Sequence, residues 1–347
     1  MPKASSEDKL KKMEEKLEGK DKEVIGELIK LLEGDAAEEV QTTEWVSTGI
    51  KAFNFLLSGD VDKGIPAGKM VVVAGEQQSG KSILAARIAA HSQKKDYIVL
   101  WLDSEHASDK RFLARVGLDV NKVVYRDLDT VEEFQSLCIK ALNKAKEKGL
   151  KLFIVLDSLG ALSGAKEMSD ANDDKMTQDM GLRAKNIRTA FKQVIHRLNE
   201  TESCFFCINH TYISPGFIPK KEMGGGTAPW FLAQIVLFLT KLKGEDGVSS
   251  RVRIKAKKNR EFIEGRVTEF EINFREGINP NDGLMDLFDE FGVVKKKGSW
   301  YNIDGDETEK SYREEDILKN ETIMNKALDT LKEKTKNYTY SSFTPIQ

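Results

Sequence analysis

The sequence predicts an α/β fold: a mostly parallel, twisted sheet covered on both faces, with an N-terminal helix before it and a small C-terminal α/β domain after it. Three observations predict it. Short apolar runs alternate with helical patterns from residue 70 to residue 240, as in a sheet whose crossovers are helices. A glycine loop of the form G-x-x-x-x-G-K-S, residues 75–82, joins the first of those runs to the first helical pattern. Two later runs end in carboxylates, Asp103 and Asp157, at the strand ends beyond which such sheets bind ligands.

Taken in order, residues 5–33 read as a charged amphipathic helix with Leu10, Met13, Leu17, Val24, Leu28 and Leu31 mostly on one face. Ser5 with Asp8 resembles a capping box, Gly34 is a stop, and Gly19 weakens the middle. Such a helix packs on its own domain or on a neighbouring subunit. A lead-in through Val46, Ser47, Thr48 and Gly49 follows. Strands are expected over 70–75, 97–103, 122–125, 151–157, 203–208 and 231–240, and helices over 81–94, 108–117, 130–148 and 181–200. Residues 163–180 and 211–226 are long connections with room for function. The cluster 251–260 starts as a strand and ends as a turn. Beyond Gly283 an apolar stretch at 284–291, a Gly298 turn and a helix over 313–335 make the small domain, and the tail 337–347 is expected to be mobile. The division is 1–38 for subunit packing, 39–283 for the core and 284–347 for the C-terminal domain and tail.

Composition narrows the function classes. In 347 residues, 54 Lys and Arg face 56 Asp and Glu, a net charge of −2. Any nucleic-acid binding must therefore come from local patches. Residues 1–12 are polar and carry no apolar leader, and the run 230–239, broken by Gln234, is too short to span a bilayer. No membrane role and a cytoplasmic setting are expected, and three cysteines suit a reducing compartment. Cys204 and Cys207 have C-x-x-C spacing, but on a strand they point to opposite faces, and no second pair completes a zinc site.

The loop Gly75, Glu76, Gln77, Gln78, Ser79, Gly80, Lys81, Ser82 lies between strand and helix, the context that a phosphate-binding loop requires. Backbone N–H groups there and at the helix start form an anion site for a triphosphate. Lys81 would reach the β- and γ-phosphates, and Ser82 would ligate Mg²⁺. Glu105, just past the second strand, could orient and activate a water, and Asp157 could hold Mg²⁺ through water. His106 beside Glu105 could be a ligand or base, although a lone histidine is more often structural.

Other segments point toward an anionic partner. In the helix over 181–200, Ile187, Phe191, Val194, Ile195 and Leu198 make an apolar stripe, while Lys185, Arg188 and Lys192 make a basic one. Such a stripe is usually a solvated face; beside two long connections it is also placed to meet phosphates. The connection at 211–226, which includes Phe217 and ends in Gly224, Gly225, Gly226 and Thr227, suits a segment that orders on a partner. The cluster at 251–260 carries six basic and no acidic residues.

These motifs together resemble the RecA-type homologous recombinases, including their phage members. The resemblance rests on Val46-Ser47-Thr48-Gly49, the phosphate loop, the Asp103–Glu105 run with His106, Leu156-Asp157-Ser158, Ile208-Asn209-His210, the triple glycine with Thr227, and Arg275-Glu276-Gly277-Ile278-Asn279. It spans residues 40–310. It implies a RecA-like core and an ATP- and Mg²⁺-dependent helical filament on single-stranded DNA that pairs homologous duplex DNA and exchanges strands in recombination and repair. It also implies a loading mediator and a single-strand DNA-binding protein as partners, in the cytoplasm of a bacterial host if the gene is a phage's. By the same resemblance Glu105 activates water, Asp109 and Phe112 meet the adenine, and His210 stands where a glutamine usually senses the γ-phosphate. Lys258 and Arg260 match cations that reach the neighbouring subunit's ATP. Met180, Lys185, Arg188, Lys192, Gly225, Gly226 and Thr227, with Phe217 a weaker match, align with the DNA-contacting surface, and the connections at about 163–180 and 211–226 would be its two DNA-binding loops. The alternatives are a helicase or nucleoside kinase on the same fold, or a related mediator that does not exchange strands.

Overall fold

The computed structural model describes residues 44–336 and 338, except 173–179, 215–219, 243–248, 274 and 307–309. The helix expected over 5–33, the packing segment 1–38 and Phe217 lie outside the described residues. The lead-in forms a small clasp: β1 (Trp45–Val46) pairs antiparallel with β2 (Ile65–Pro66) around α1 (Lys51–Ser58). Buried Asn54 holds the clasp, its Oδ1 accepting from the amide and hydroxyl of Thr48 at 2.8 and 2.7 Å.

The core then alternates as expected. Its elements are β3 (Met70–Gly75), α2 (Lys81–Gln93), β4 (Ile98–Asp103), α3 (Lys110–Arg115), β5 (Val123–Asp127), α4 (Val131–Lys148), β6 (Leu152–Asp157), α5 (Ala165–Asn172), α6 (Met180–Thr201), β7 (Cys204–Ser214), β8 (Lys220–Met223), α7 (Ala228–Leu232), β9 (Ile235–Lys241), β10 (Ser249–Asn259) and β11 (Val267–Asn273). They build a nine-stranded sheet in the order β11-β10-β9-β3-β7-β6-β4-β5, with β8 on β7. The six strands from β9 to β5 run parallel, and β8, β10 and β11 are antiparallel additions. Strand alternation sorts the core into two layers. Val71 and Val73 pack with Leu84 and Ile88 of α2, whereas Met70, Val72 and Ala74 pack with Phe134 of α4 and Phe191 of α6. Cys204 falls in the first layer and Cys207 in the second, both buried, as their spacing on a strand requires.

Local signals set the helix ends. Thr130 and Glu133 form a capping box at the start of α4, and Gly149, at φ 62°, closes it in the left-handed conformation. In α6, Ile187, Phe191, Val194 and Leu198 are fully buried and Ile195 is half-buried, while Lys185, Arg188 and Lys192 face solvent.

Five expectations are corrected. The strand expected from 231 begins only at Ile235, because Pro229 near the helix start turns the chain through α7 first. The connection 211–226 is largely a hairpin: β7 runs on to Ser214 and pairs with β8 from Thr211↔Met223 to Ser214↔Lys220. The connection 163–180 contains α5. Residues 257–259, expected in a turn, stay in β10, whose register shifts between Ala256 and Lys258. Past Gly283 come α8 (Leu284–Glu290), β12 (Val294–Lys297), β13 (Trp300–Ile303), β14 (Ser311–Tyr312), α9 (Glu314–Lys319) and α10 (Glu321–Thr335). The single helix expected over 313–335 breaks at Asn320, whose side chain accepts from the amides of Thr322 and Ile323 and so restarts it. These elements form a third core cluster, completed by Phe55, Val61 and Phe262 from earlier in the chain.

Candidate active site

The parallel strands β3, β4, β6 and β7 end on the same side of the sheet, so Gly75, Asp103, Asp157 and His210 come close although they are far apart in sequence. Between β3 and α2 the loop turns through Gln78 at φ 56° and Gly80 at φ 97°. A Cβ on Gly80 would lie 2.4 Å from Ile272 Cδ1, and one on Gly75 would lie 2.6 Å from the Leu239 carbonyl oxygen. At both ends of the loop only glycine fits, and the first N–H groups of α2, which lack intrahelical acceptors, open onto the cleft. Ser79 Oγ donates to Glu76 O at 2.8 Å. Buried Lys81 folds back over the loop, its Nζ donating to the carbonyls of Gly75 (3.2 Å) and Glu76 (2.6 Å). Burial lowers its pKa, against the pull of Glu105, Asp157 and Glu76.

The cleft above the loop has a volume of about 590 Å³ and is walled by 77–83, Glu105, Ala107, Ser108, Phe112, Asp157 and His210. Within it, Glu105 is tightly held. His210 Nε2 donates to Glu105 Oε1 at 2.6 Å, the tautomer that an ionised carboxylate selects, and Ser158 Oγ donates to the same oxygen at 2.6 Å. The bond from His210, seconded by that from Ser158, outweighs burial and holds the Glu105 carboxyl at about 2. No hydrogen bond engages Oε2 among the described residues. Asp157 has the opposite environment. It is 4% exposed, and burial, with Glu105 and Asp103 nearby, pushes it up to about 6 against a hydrogen bond from Ser82. Asp103 serves the fold: its carboxylate accepts from the amides of Glu105 (2.9 Å) and Ser108 (2.8 Å) and so shapes the turn that presents Glu105.

Of the residues expected around a nucleotide, Gln77, Gln78, Ser79, Gly80, Lys81, Ser82, Glu105, Phe112, Asp157 and His210 line this cleft. The side chain of Glu76 turns away to pair with Lys221 of β8 at 2.9 Å. Asp109 caps α3, accepting from the Phe112 amide at 2.6 Å, and is not among the lining residues. Lys258 and Arg260 lie off the cleft. Lys258 Nζ donates to the carbonyls of Trp230, Phe231 and Ala233 at the end of α7; burial, then Arg260, lowers its pKa to about 8. Sequence reasoning missed Lys241, Ser250 and Ile272, which complete the lining. They sit on β9, β10 and β11, and only the strand order beside β3 brings them there. Ser158 belongs to the Leu156-Asp157-Ser158 motif, but its bond to Glu105 needs the tertiary fold.

The residues expected to meet nucleic acid converge from two elements. Gly225 and Gly226 adopt φ 83° and 71°. A Cβ on Gly225 would lie 2.8 Å from Leu159 Cδ2, and one on Gly226 would lie 3.3 Å from Ala184 Cβ. The end of the β7–β8 hairpin thus packs beside the start of α6, next to Lys185. Exposed Thr227 leads into α7, and Met180 begins α6. Asn209 Nδ2 donates to Gly224 O at 2.8 Å, tying the hairpin's end to the residue before His210.

The family described as the RecA N-terminal domain matches residues 11–279. The chain is 31% identical over 278 residues to the recombination and repair protein of Enterobacteria phage T4, covering 78% of this chain and 70% of that protein. It is 29% identical over 280 residues to protein RecA of Streptomyces venezuelae, covering 79% and 71%. To protein RecA of Heliobacterium modesticaldum it is 30% identical over 249 residues, covering 70% of each.

Proposed function

The chain belongs to the RecA family, and on that premise we propose that the cleft above residues 75–82 is its ATPase centre, coupled to DNA through His210. The protein is a DNA-dependent ATPase of recombination and repair that exchanges DNA strands. One observation carries the site reading. Glu105 and His210 share a 2.6 Å hydrogen bond in the phosphate-loop cleft, and His210 lies on the strand that continues into the 211–223 hairpin.

In this reading the loop amides and the start of α2 hold the phosphates, and Lys81 exchanges the Gly75 and Glu76 carbonyls for the β- and γ-phosphates. Phe112 stacks on the base. Ser158 fixes Glu105 Oε1, as His210 does until the γ-phosphate is bound, and this turns Oε2 toward the attacking water. A carboxylate near 2 stays ionised throughout the neutral range, so it orients the water and accepts its proton late, as phosphoryl transfer through a loose transition state allows. Ser82 and, through water, Asp157 are the oxygen donors that would hold Mg²⁺. The pKa of Asp157, raised by burial beside two other carboxylates, fits a group that a cation completes. Bound there, Mg²⁺ would neutralise charge developing on the phosphates. When His210 exchanges Glu105 for the γ-phosphate, the shift passes along β7 into the hairpin, changing how Gly225, Gly226 and Thr227 meet DNA alongside Lys185, Arg188 and Lys192.

Lys258 and Arg260 lie outside the chain's own cleft, and in this reading they serve a neighbouring subunit's nucleotide in the filament, with Lys258 first leaving the end of α7. Asp109 contributes by capping α3 beneath Phe112. A loading mediator and a single-strand DNA-binding protein assist the filament in the cytoplasm. The test is strand exchange with ATP beside a Lys81→Ala variant. Wild type exchanges strands with turnover stimulated by single-stranded DNA, and the variant does neither; turnover indifferent to DNA would leave a kinase or a mediator as the better reading.

A further inference from the structure

His106 lies outside the cleft and has no part in the reaction as described above, yet it is held in an unusual way. It follows Glu105 directly and adopts φ 52°, a left-handed conformation uncommon for non-glycine residues, which histidine enters more readily than most. Its Nε2 lies 2.8 Å from Asp129 Oδ1, and its Nδ1 lies 3.6 Å from Asp127 Oδ1. The groups facing it are acidic or neutral: Asp103 on β4, Tyr125 and Asp127 on β5, and Asp129 before α4. The Tyr125 hydroxyl lies within hydrogen-bond distance of Asp103 Oδ2, Asp127 Oδ1 and Ser108 O, so both ends of the 104–108 turn are fastened to β5.

Asp129 leads elsewhere. Its carbonyl accepts from the Ser163 amide at 2.8 Å, and the Ser163 carbonyl accepts from Val131 N at 3.0 Å. Ser163 is the base of the segment carrying α5, which Glu132 ties further, accepting from the amide of Ala165 (3.0 Å) and from Asn186 Nδ2 of α6 (2.8 Å). The chain of contacts from Glu105 to His106, Asp129 and Ser163 therefore crosses from the catalytic turn to the first of the two segments expected to face DNA.

We infer that His106 is a positioning residue for ATP turnover, coupling the Glu105 turn through Asp129 to the segment 163–172. The inference rests on the reading of Glu105 given under Proposed function and on the expectation that the connection 163–180 faces DNA. The imidazolium is the form that holds both carboxylates. The hydrogen bond to Asp129, followed by the charges of Asp129, Asp127 and Asp103, raises the pKa of His106 above the ordinary range. Because the shift is upward, the pairing is intact below the ordinary range and is lost as pH rises through the raised value.

The experiment compares His106→Gln, His106→Lys, Asp129→Asn and Glu105→Gln in the full chain, at saturating single-stranded DNA, from about pH 6 to 9. His106→Gln and Asp129→Asn should lower kcat roughly tenfold with KM for ATP unchanged, since the carboxylate is misplaced while the phosphate loop is not. Wild-type turnover should fall on the alkaline side, whereas His106→Lys, with a charge that persists, should keep turnover and flatten the profile. Amide exchange at 163–165 should quicken in His106→Gln. A wild-type kcat and pH profile in His106→Gln overturns the inference, as does unchanged exchange at 163–165. If Glu105→Gln turns over like wild type, the site reading itself fails; if only Glu105→Gln is inactive, the coupling through His106 fails alone.

Discussion

Asp157 and Glu105 are both carboxylates at parallel strand ends, yet their surroundings drive them apart. Glu105 gains two hydrogen bonds and is held at about 2; Asp157 is buried among other carboxylates and rises to about 6. Such divergence is a mark of functional pairs. It has a measurable consequence. Because the folded pKa of Asp157 lies above its ordinary value of 3.8, the native state is favoured when Asp157 is protonated, and that advantage is lost as pH rises through 6. Asp157→Asn should therefore stabilise the ligand-free protein at pH 8 by about 3 kcal/mol, with the gain gone below about pH 4. Urea midpoints at the two pH values check this, and turnover of the same variant should collapse. Each strand-end acid was legible in the sequence. Which would be acidic and which would hold its proton was not, because the difference comes from Ser158, His210 and burial.

At the scale of elements, α6 carries two functions on one periodicity. Its apolar stripe closes the core through Phe191, whose ring meets those of Phe134 and Phe205 at centroid distances of 5.8 and 5.5 Å. The opposite face presents Lys185, Arg188 and Lys192 to solvent, beside the glycines that end the β7–β8 hairpin. If these cations neutralise phosphates, replacing all three with alanine should make the dependence of single-strand affinity on salt shallower by about 2 in log–log slope. Measurements at several salt concentrations decide it, and an unchanged slope would return the stripe to a solvated face. The helix and its stripes follow from spacing alone. The hairpin was read as an open connection because apolar, glycine-rich and lysine residues do not alternate clearly there, and only pairing with β7 makes a strand of residues 220–223.

For the whole molecule, the third core cluster matters most. Leu284, Phe288, Ile317 and Leu331 pack with Phe55 of α1 and with Phe262. The Phe55 and Phe262 rings meet edge to face at a centroid distance of 5.5 Å, and the Arg266 guanidinium lies over both, 5.3 and 5.9 Å from their centroids. The elements after Gly283 thus finish burying side chains that belong to the lead-in and to the loop after β10. A chain ended after Gly283 should expose those rings, with a lower urea midpoint and a smaller m-value than the full chain. An unchanged midpoint would mark residues 284–336 as an independent domain.

By itself the sequence determined the alternation of strands and helices, the phosphate loop and the acids that follow it, because these depend on the period of side chains along a strand or helix and on residues adjacent in the chain. Tertiary structure alone decided the strand order that brings Lys241, Ser250 and Ile272 to the cleft. It also decided the bond between Glu105 and His210, the placement of Lys258 on the end of α7, and the contact of His106 with Asp129. Those depend on which elements lie side by side, and hydrogen bonds and burial act through space rather than along the chain.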